Sequence, residues 1–104
     1  MDHASLLQIH ITEHDRYGEK PLYEAIVDKC REMEIAGATV IRGHEGYGEP
    51  AQIHRPHVIG HDLPLVITIV DSAGKIAALR PVIEQMVDKG LITAEEVRAR
   101  RIQK

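Results

Sequence analysis

Ala38-Thr-Val-Ile41 and Leu63-Pro-Leu-Val-Ile-Thr-Ile-Val70 are two β-rich runs, and everything between them, Arg42 to Asp62, is polar and aperiodic. That connection holds four of the seven histidines, four glycines and two prolines. Connections longer than about a dozen residues without structure of their own are uncommon in compact domains, and those that occur tend to be functional or disordered. Two pairing strands would fix the ends of this one, so Arg42–Asp62 reads as a working loop on a rigid base. Strand 63–70 is apolar almost throughout, as expected of a central strand, and Pro64 fits only at its beginning.

Working outward, Leu7, Ile9 and Ile11 alternate with Gln8 and His10, which predicts a half-buried strand over 6–12. A polar turn covers Glu13–Lys20. Pro21 suits the first turn of a helix. Leu22, Ile26, Cys30 and Met33 form its apolar stripe, and Gly37 is placed to close it. On the other side of the connection, Asp71 or Ser72 is expected to cap a second helix to Lys89. Its stripe is Ile76, Leu79, Ile83, Met86 and Val87, and Gly90 ends it; Pro81 should kink or divide it. Leu91-Ile-Thr93 can begin a fourth strand, although Ala94-Glu-Glu96 suits a helix equally well. The alternation of Arg98 and Arg100 with Val97, Ala99 and Arg101 favours an extended basic end.

The order β-α-β-loop-β-α-β predicts one α+β domain over 1–104. Its plan is ferredoxin-like (βαββαβ), a four-stranded antiparallel sheet with both helices on one face. The other face has no helix to cover it, and strands this rich in Ile and Val would leave it apolar, so self-association is expected to bury it. A chain of 104 residues with a loop of this length has a modest core, which points the same way.

Phe and Trp are absent, so the core is aliphatic. Sixteen acidic residues against thirteen basic ones give a net charge of −3, which argues against non-specific nucleic-acid binding; protonating all seven histidines would bring it to +4. The single Cys30 allows no intrachain disulfide and suits a reducing compartment. No window is long and apolar enough to span a membrane, and no signal-peptide pattern opens the chain, so a cytoplasmic location is expected.

Four groups of residues could carry chemistry. Arg42-Gly-His-Glu-Gly-Tyr-Gly48 places three glycines beside an arginine and an aromatic ring. Exposed N–H groups in such a turn can cradle an anion, with Arg42 supplying charge and Tyr47 a stacking surface; otherwise Gly43, Gly46 and Gly48 simply let the chain leave the sheet. His54, His57, His61 and Asp62 offer imidazole and carboxylate ligands that suit zinc, copper or nickel, although they could equally be solvated. His10, His44 and His54 could also serve as hydrogen-bonding groups at a site or interface. Arg98 and Arg100 on an extended end could grip phosphates, or form a solvated tail. Glu13, Asp15 and Arg16 in the first turn read as surface salt-bridge partners. No nucleophile elbow or catalytic carboxylate pair stands out, and a non-enzyme is expected.

Gly18-Glu-Lys-Pro-Leu-Tyr-Glu-Ala-Ile-Val27, Ala38-Thr-Val-Ile-Arg-Gly43, Gly46-Tyr-Gly48, Ile53-His54, Asp62-Leu-Pro64 and Gly90-Leu-Ile-Thr93 together resemble the PII-like signalling superfamily, within it the branch called domain of unknown function 190. The resemblance covers about Leu6 to Val97. It implies a homotrimer with its sheets lining the centre, small effectors (adenine nucleotides among them) in clefts between subunits, and a long loop similar to the T-loop. Such a loop docks on a target protein such as a transporter or an enzyme. By position, Gly46-Tyr47-Gly48 corresponds to the glycine-aromatic-glycine at the loop's base, and Arg98 and Arg100 to paired basic residues of the last strand. This sequence departs from the classical pattern at Glu49-Pro-Ala51, and again where a glycine-rich phosphate loop is reduced to Lys89-Gly90. Those departures favour an AMP-like ligand over one with more phosphates.

Overall fold

A computed structural model describes residues 1–48 and 62–104. Strand β1 (Asp2–Thr12) is followed by a small hairpin, β2 (Arg16–Tyr17) and β3 (Lys20–Pro21), then helix α1 (Leu22–Glu32) and strand β4 (Ala38–Arg42). Strand β5 (Pro64–Asp71), helix α2 (Ala73–Met86) and strand β6 (Leu91–Ala99) complete the chain. The sheet runs β4-β5-β1-β6 with every pair antiparallel. This is the ferredoxin-like α+β plan, with the two βαβ halves interleaved so that β1 and β5 lie at the centre.

Alternation decides which face of each strand meets the helices. Leu7, Ile9 and Ile11 of β1 and Leu65, Ile67 and Ile69 of β5 point to the helical side and are buried. They pack against Leu22, Ala25, Ile26 and Cys30 of α1 and Ile76, Leu79, Ile83 and Met86 of α2. Among the described residues, no polar or charged side chain is buried. The opposite face carries Leu6, Gln8 and His10, then Val66, Thr68 and Val70, with Ile41 and Leu91 on the flanking strands. No helix covers it, and Ile41, Val70 and Leu91 remain exposed. The continuous apolar run of β5 therefore reflects one face in the core and one bare face, rather than helices on both sides.

Several boundaries differ from the sequence expectation. Strand β1 begins at Asp2, because β6 pairs with it from Asp2 to His10 and supplies hydrogen-bond partners where hydrophobic alternation is absent. Within the expected polar turn, Gly18 takes φ +62° and folds 16–21 into a hairpin, so Pro21 ends β3 and directly precedes α1. Helix α1 stops at Glu32, five residues before Gly37. Glu34, at φ 58°, makes the left-handed turn, while Glu34 N–H donates to Arg31 O (3.1 Å) and Ile35 N–H to Cys30 O (2.9 Å). That is a Schellman closure in which burial of Ile35 against the helix offsets the strain of a non-glycine residue. Ser72 caps α2 as expected, its hydroxyl accepting from Lys75 N–H (3.3 Å). Pro81 does not divide α2, which ends at Met86 rather than Lys89. Gly90 acts through space: a Cβ there would lie 2.7 Å from the His10 carbonyl oxygen, so only glycine lets the chain cross β1 this closely. Segment 94–96 is strand, because Ala94, Glu95 and Glu96 continue the ladder beside Leu7, Leu6 and Ser5. Among the described residues, no helix is long and apolar enough to cross a membrane.

Candidate functional site

The two ends of the connection meet at one end of the sheet. Arg42, the last residue of β4, pairs in register with Leu65, and the chain then turns at Gly43, whose N–H donates to Pro64 O at 2.7 Å. A Cβ on Gly43 would lie 2.8 Å from Pro64 Cγ, and one on Gly46 would lie 3.2 Å from the same atom. These two glycines are therefore packing residues against a proline ring. Gly43 N–H is already satisfied and is not open to an anion. Gly48 has no atom near the position of a Cβ, and Tyr47 is exposed.

The turn after β1 completes the base. Glu13 N–H donates to Leu63 O (2.9 Å), and Leu63 N–H returns a bond to Glu13 Oε1 (3.3 Å). The other oxygen of Glu13 is ion-paired with Arg42 Nε at 3.2 Å. His14 N–H donates to Asp62 Oδ1 (2.9 Å), and the His14 ring lies over the same carboxylate, with Nδ1 at 3.6 Å. Asp15 accepts from Thr12 N–H (2.8 Å) and fixes the turn that presents Glu13 and His14. Glu13 thus touches both ends of the connection, through Arg42 at the start and Leu63 at the finish.

Beside this base lies a cleft of about 410 Å³ lined by Glu13, His14, Arg16, Pro21, Tyr23 and Arg42. Two guanidinium groups and an aromatic ring make it suited to a small anion with an unsaturated ring or plane. Arg16 donates to the Glu19 carbonyl, which holds it across the hairpin. A larger hollow of about 520 Å³ lies between the hairpin, α1 and Met86, but its charges cancel locally: Lys20 pairs with Asp28 (2.9 Å) and Lys29 with Glu32 (3.0 Å). The Asp28 carboxylate raises the Lys20 ammonium above its usual value, chiefly by accepting its hydrogen bond. The Arg42 cleft is the better candidate.

Of the residues singled out in the sequence, Arg42, Gly43, Gly46, Tyr47 and Gly48 lie at or next to this base. Arg98 is paired in register with His3, and Arg100 follows the end of β6; both are exposed. Arg42 and Arg98 occupy opposite edge strands and opposite ends of the sheet, so one subunit does not bring them together. His54, His57 and His61 lie outside the described residues, and Asp62 stands with Glu13 and His14 instead. His10 sits on the uncovered face, and His44 is exposed. Glu13 reads from the sequence only as a surface salt-bridge partner, and His14 and Tyr23 carry no pattern there that marks them as site residues. Glu13 and His14 lie in a short polar turn, and their partners Leu63 and Asp62 are about fifty positions away.

A family profile described as an uncharacterised conserved group, DUF190, matches residues 4–99. The chain belongs to the DUF190 family. A UPF0166 protein of Aquifex aeolicus (strain VF5) is 34% identical over 96 residues, covering 88% of this chain and 89% of that one. Among solved structures, CPII from Thiomonas intermedia K12, a nitrogen regulatory PII-like protein bound to ADP, AMP and bicarbonate, aligns at a TM-score of 0.68 and 16% identity. It covers 96% of this chain and 91% of its own. The divalent ion tolerance protein CutA1 from Ehrlichia chaffeensis aligns at 0.65 and 14%, covering 94% and 84%. At these identities the likeness is one of fold: the chain shares the architecture of those structures.

Proposed function

We propose that this DUF190 protein is a PII-like regulator rather than an enzyme. It binds a small anionic effector, an adenine nucleotide with AMP-like forms favoured, and passes the signal through the 42–62 connection to a protein partner such as a transporter or an enzyme. The observation that carries the reading is the chain of contacts Arg42–Glu13–Leu63 at the foot of that connection. An anion that draws the Arg42 guanidinium away from Glu13 changes the carboxylate that anchors the other end. A ligand shifts a two-state element only by its differential affinity, and about 1.4 kcal/mol, within reach of one charge-assisted bond, shifts it tenfold. The uncovered face supports assembly of three copies. Arg98 and Arg100 of one copy would then complete the phosphate contacts beside Arg42 of another, with Tyr47 and His54 contributing from the connection.

Isothermal titration of the intact protein with AMP, ADP, ATP and cyclic AMP tests this. AMP should bind, and Arg42→Ala and Arg98→Ala should each weaken it about tenfold or more. Absence of heat with all four nucleotides, at protein concentrations in the hundred-micromolar range, would overturn the reading.

A further inference from the structure

We infer that Glu13, His14 and Asp62 form a binding site for a divalent transition-metal ion, which ties the turn after β1 to the end of the connection. One ligand atom from each of the three lies within 4.8 Å of the others. Two ligands on one zinc-like ion, each at roughly 2.0–2.2 Å, are separated by about 3–4 Å. Nε2 of the His14 ring stands 3.9 Å from Glu13 Oε1 and Nδ1 stands 3.6 Å from Asp62 Oδ1, and the ring would offer one of these nitrogens to the ion.

Both carboxylates accept main-chain donors, Glu13 Oε1 from Leu63 N–H and Asp62 Oδ1 from His14 N–H. Supporting bonds of this kind orient a ligand while leaving lone pairs for a metal. The Glu13 and Asp62 side chains are 17% and 26% exposed, which strengthens their field, whereas that of His14 is 63% exposed and gives the ion a way in. Of the two carboxylates, Glu13 is also ion-paired with Arg42, with which a bound ion would compete. One imidazole with two carboxylates is a mixed nitrogen–oxygen set, which favours zinc and its neighbours over magnesium. The adjoining cleft leaves further coordination positions open to water or to a small anion. This inference does not depend on nucleotide binding. It also differs from a site built from the connection's histidines, since it joins Asp62 to groups about 48 positions upstream.

The full-length protein, stripped with chelator, would be titrated with zinc chloride by calorimetry, and its stoichiometry read by native mass spectrometry, with magnesium chloride as the comparison. One zinc per chain should bind, and His14→Ala and the near-isosteric Asp62→Asn should each weaken it at least about tenfold. The His54→Ala, His57→Ala double variant should bind as the parent does. Circular dichroism checks that each variant is folded. Failure of the parent to bind zinc, or binding unchanged in both His14→Ala and Asp62→Asn, overturns the site. So does a loss in the double variant as large as that in His14→Ala, which would assign the ion to the connection's histidines.

Discussion

Gly43→Ala should destabilise the protein, and Pro64→Ala should repair most of the damage. A Cβ at position 43 would sit 2.8 Å from Pro64 Cγ and 3.4 Å from the Pro64 carbonyl oxygen. Carbon atoms prefer about 3.5–4.0 Å, so the ring must be displaced by most of an ångström. That carbonyl is the partner of Gly43 N–H, so shifting the ring also strains the last bond between β4 and β5. Overpacking of this kind costs about 1–3 kcal/mol, and the entropy that alanine removes from the unfolded chain returns about 0.4–1 kcal/mol. A net loss of about 1–2 kcal/mol follows. At Gly48, where no atom of the described residues lies within 4 Å, the same substitution should be neutral or mildly stabilising. Urea unfolding at fixed protein concentration measures the difference. With a slope of about 1–2 kcal/mol per molar, the Gly43→Ala midpoint should fall by about 1 M. In the Gly43→Ala, Pro64→Ala pair the nearest atom is gone, and the two substitutions should show favourable coupling of about 1 kcal/mol. If Gly43→Ala matches Gly48→Ala, or if removing the ring gives no rescue, the glycines are not there for close approach and the account of the loop base is wrong.

Three further outcomes are expected. The Asp71 carboxyl is opposed by partial burial, yet N–H bonds from Ala36 and Ser72 and the charges of Lys75 and Arg101 hold it below its ordinary 3.8. Its contribution is therefore full above about pH 4 and lost as pH falls through the lower folded value. Asp71→Asn should be less stable than the parent at pH 7 and show a flatter acid limb in thermal melts, and parallel curves would contradict this. Burial pushes the Cys30 thiol up to about 11, so at pH 8 a thiol reagent should label it only after urea is added, and prompt labelling of the folded protein would show that α1 opens readily. The proposed association through the uncovered face predicts that Val70→Asp, placed beside Leu6 there, lowers the mass read by light scattering without unfolding the chain; an unchanged mass would contradict it.

Alternation and helical periodicity carried the fold. Ile9 and Ile67, or Leu79 and Ile83, are legible one element at a time, because a strand or helix that buries one side must repeat its apolar residues at a fixed spacing. Where local signals conflicted, pairing decided. Ala94-Glu-Glu96 extends as strand because β1 presents an open edge there, and α1 ends at Glu32, with the left-handed turn at Glu34 rather than Gly37, because Ile35 reaches the core. The site was half legible. Arg42, the glycines and Asp62 stand out beside a long aperiodic connection, whereas Glu13 and His14 resemble any polar turn.

Sequence alone, then, determined the α+β plan, the family resemblance and the place where the chain leaves its sheet, since each is written in residues close together along the chain. Only the tertiary structure decided that Glu13 grips both ends of the connection, that Asp62 meets His14, and that Arg42 and Arg98 stand at opposite ends of one subunit. Those contacts span about thirty to fifty positions, and no local pattern encodes a meeting that the antiparallel register of β1, β4 and β5 creates.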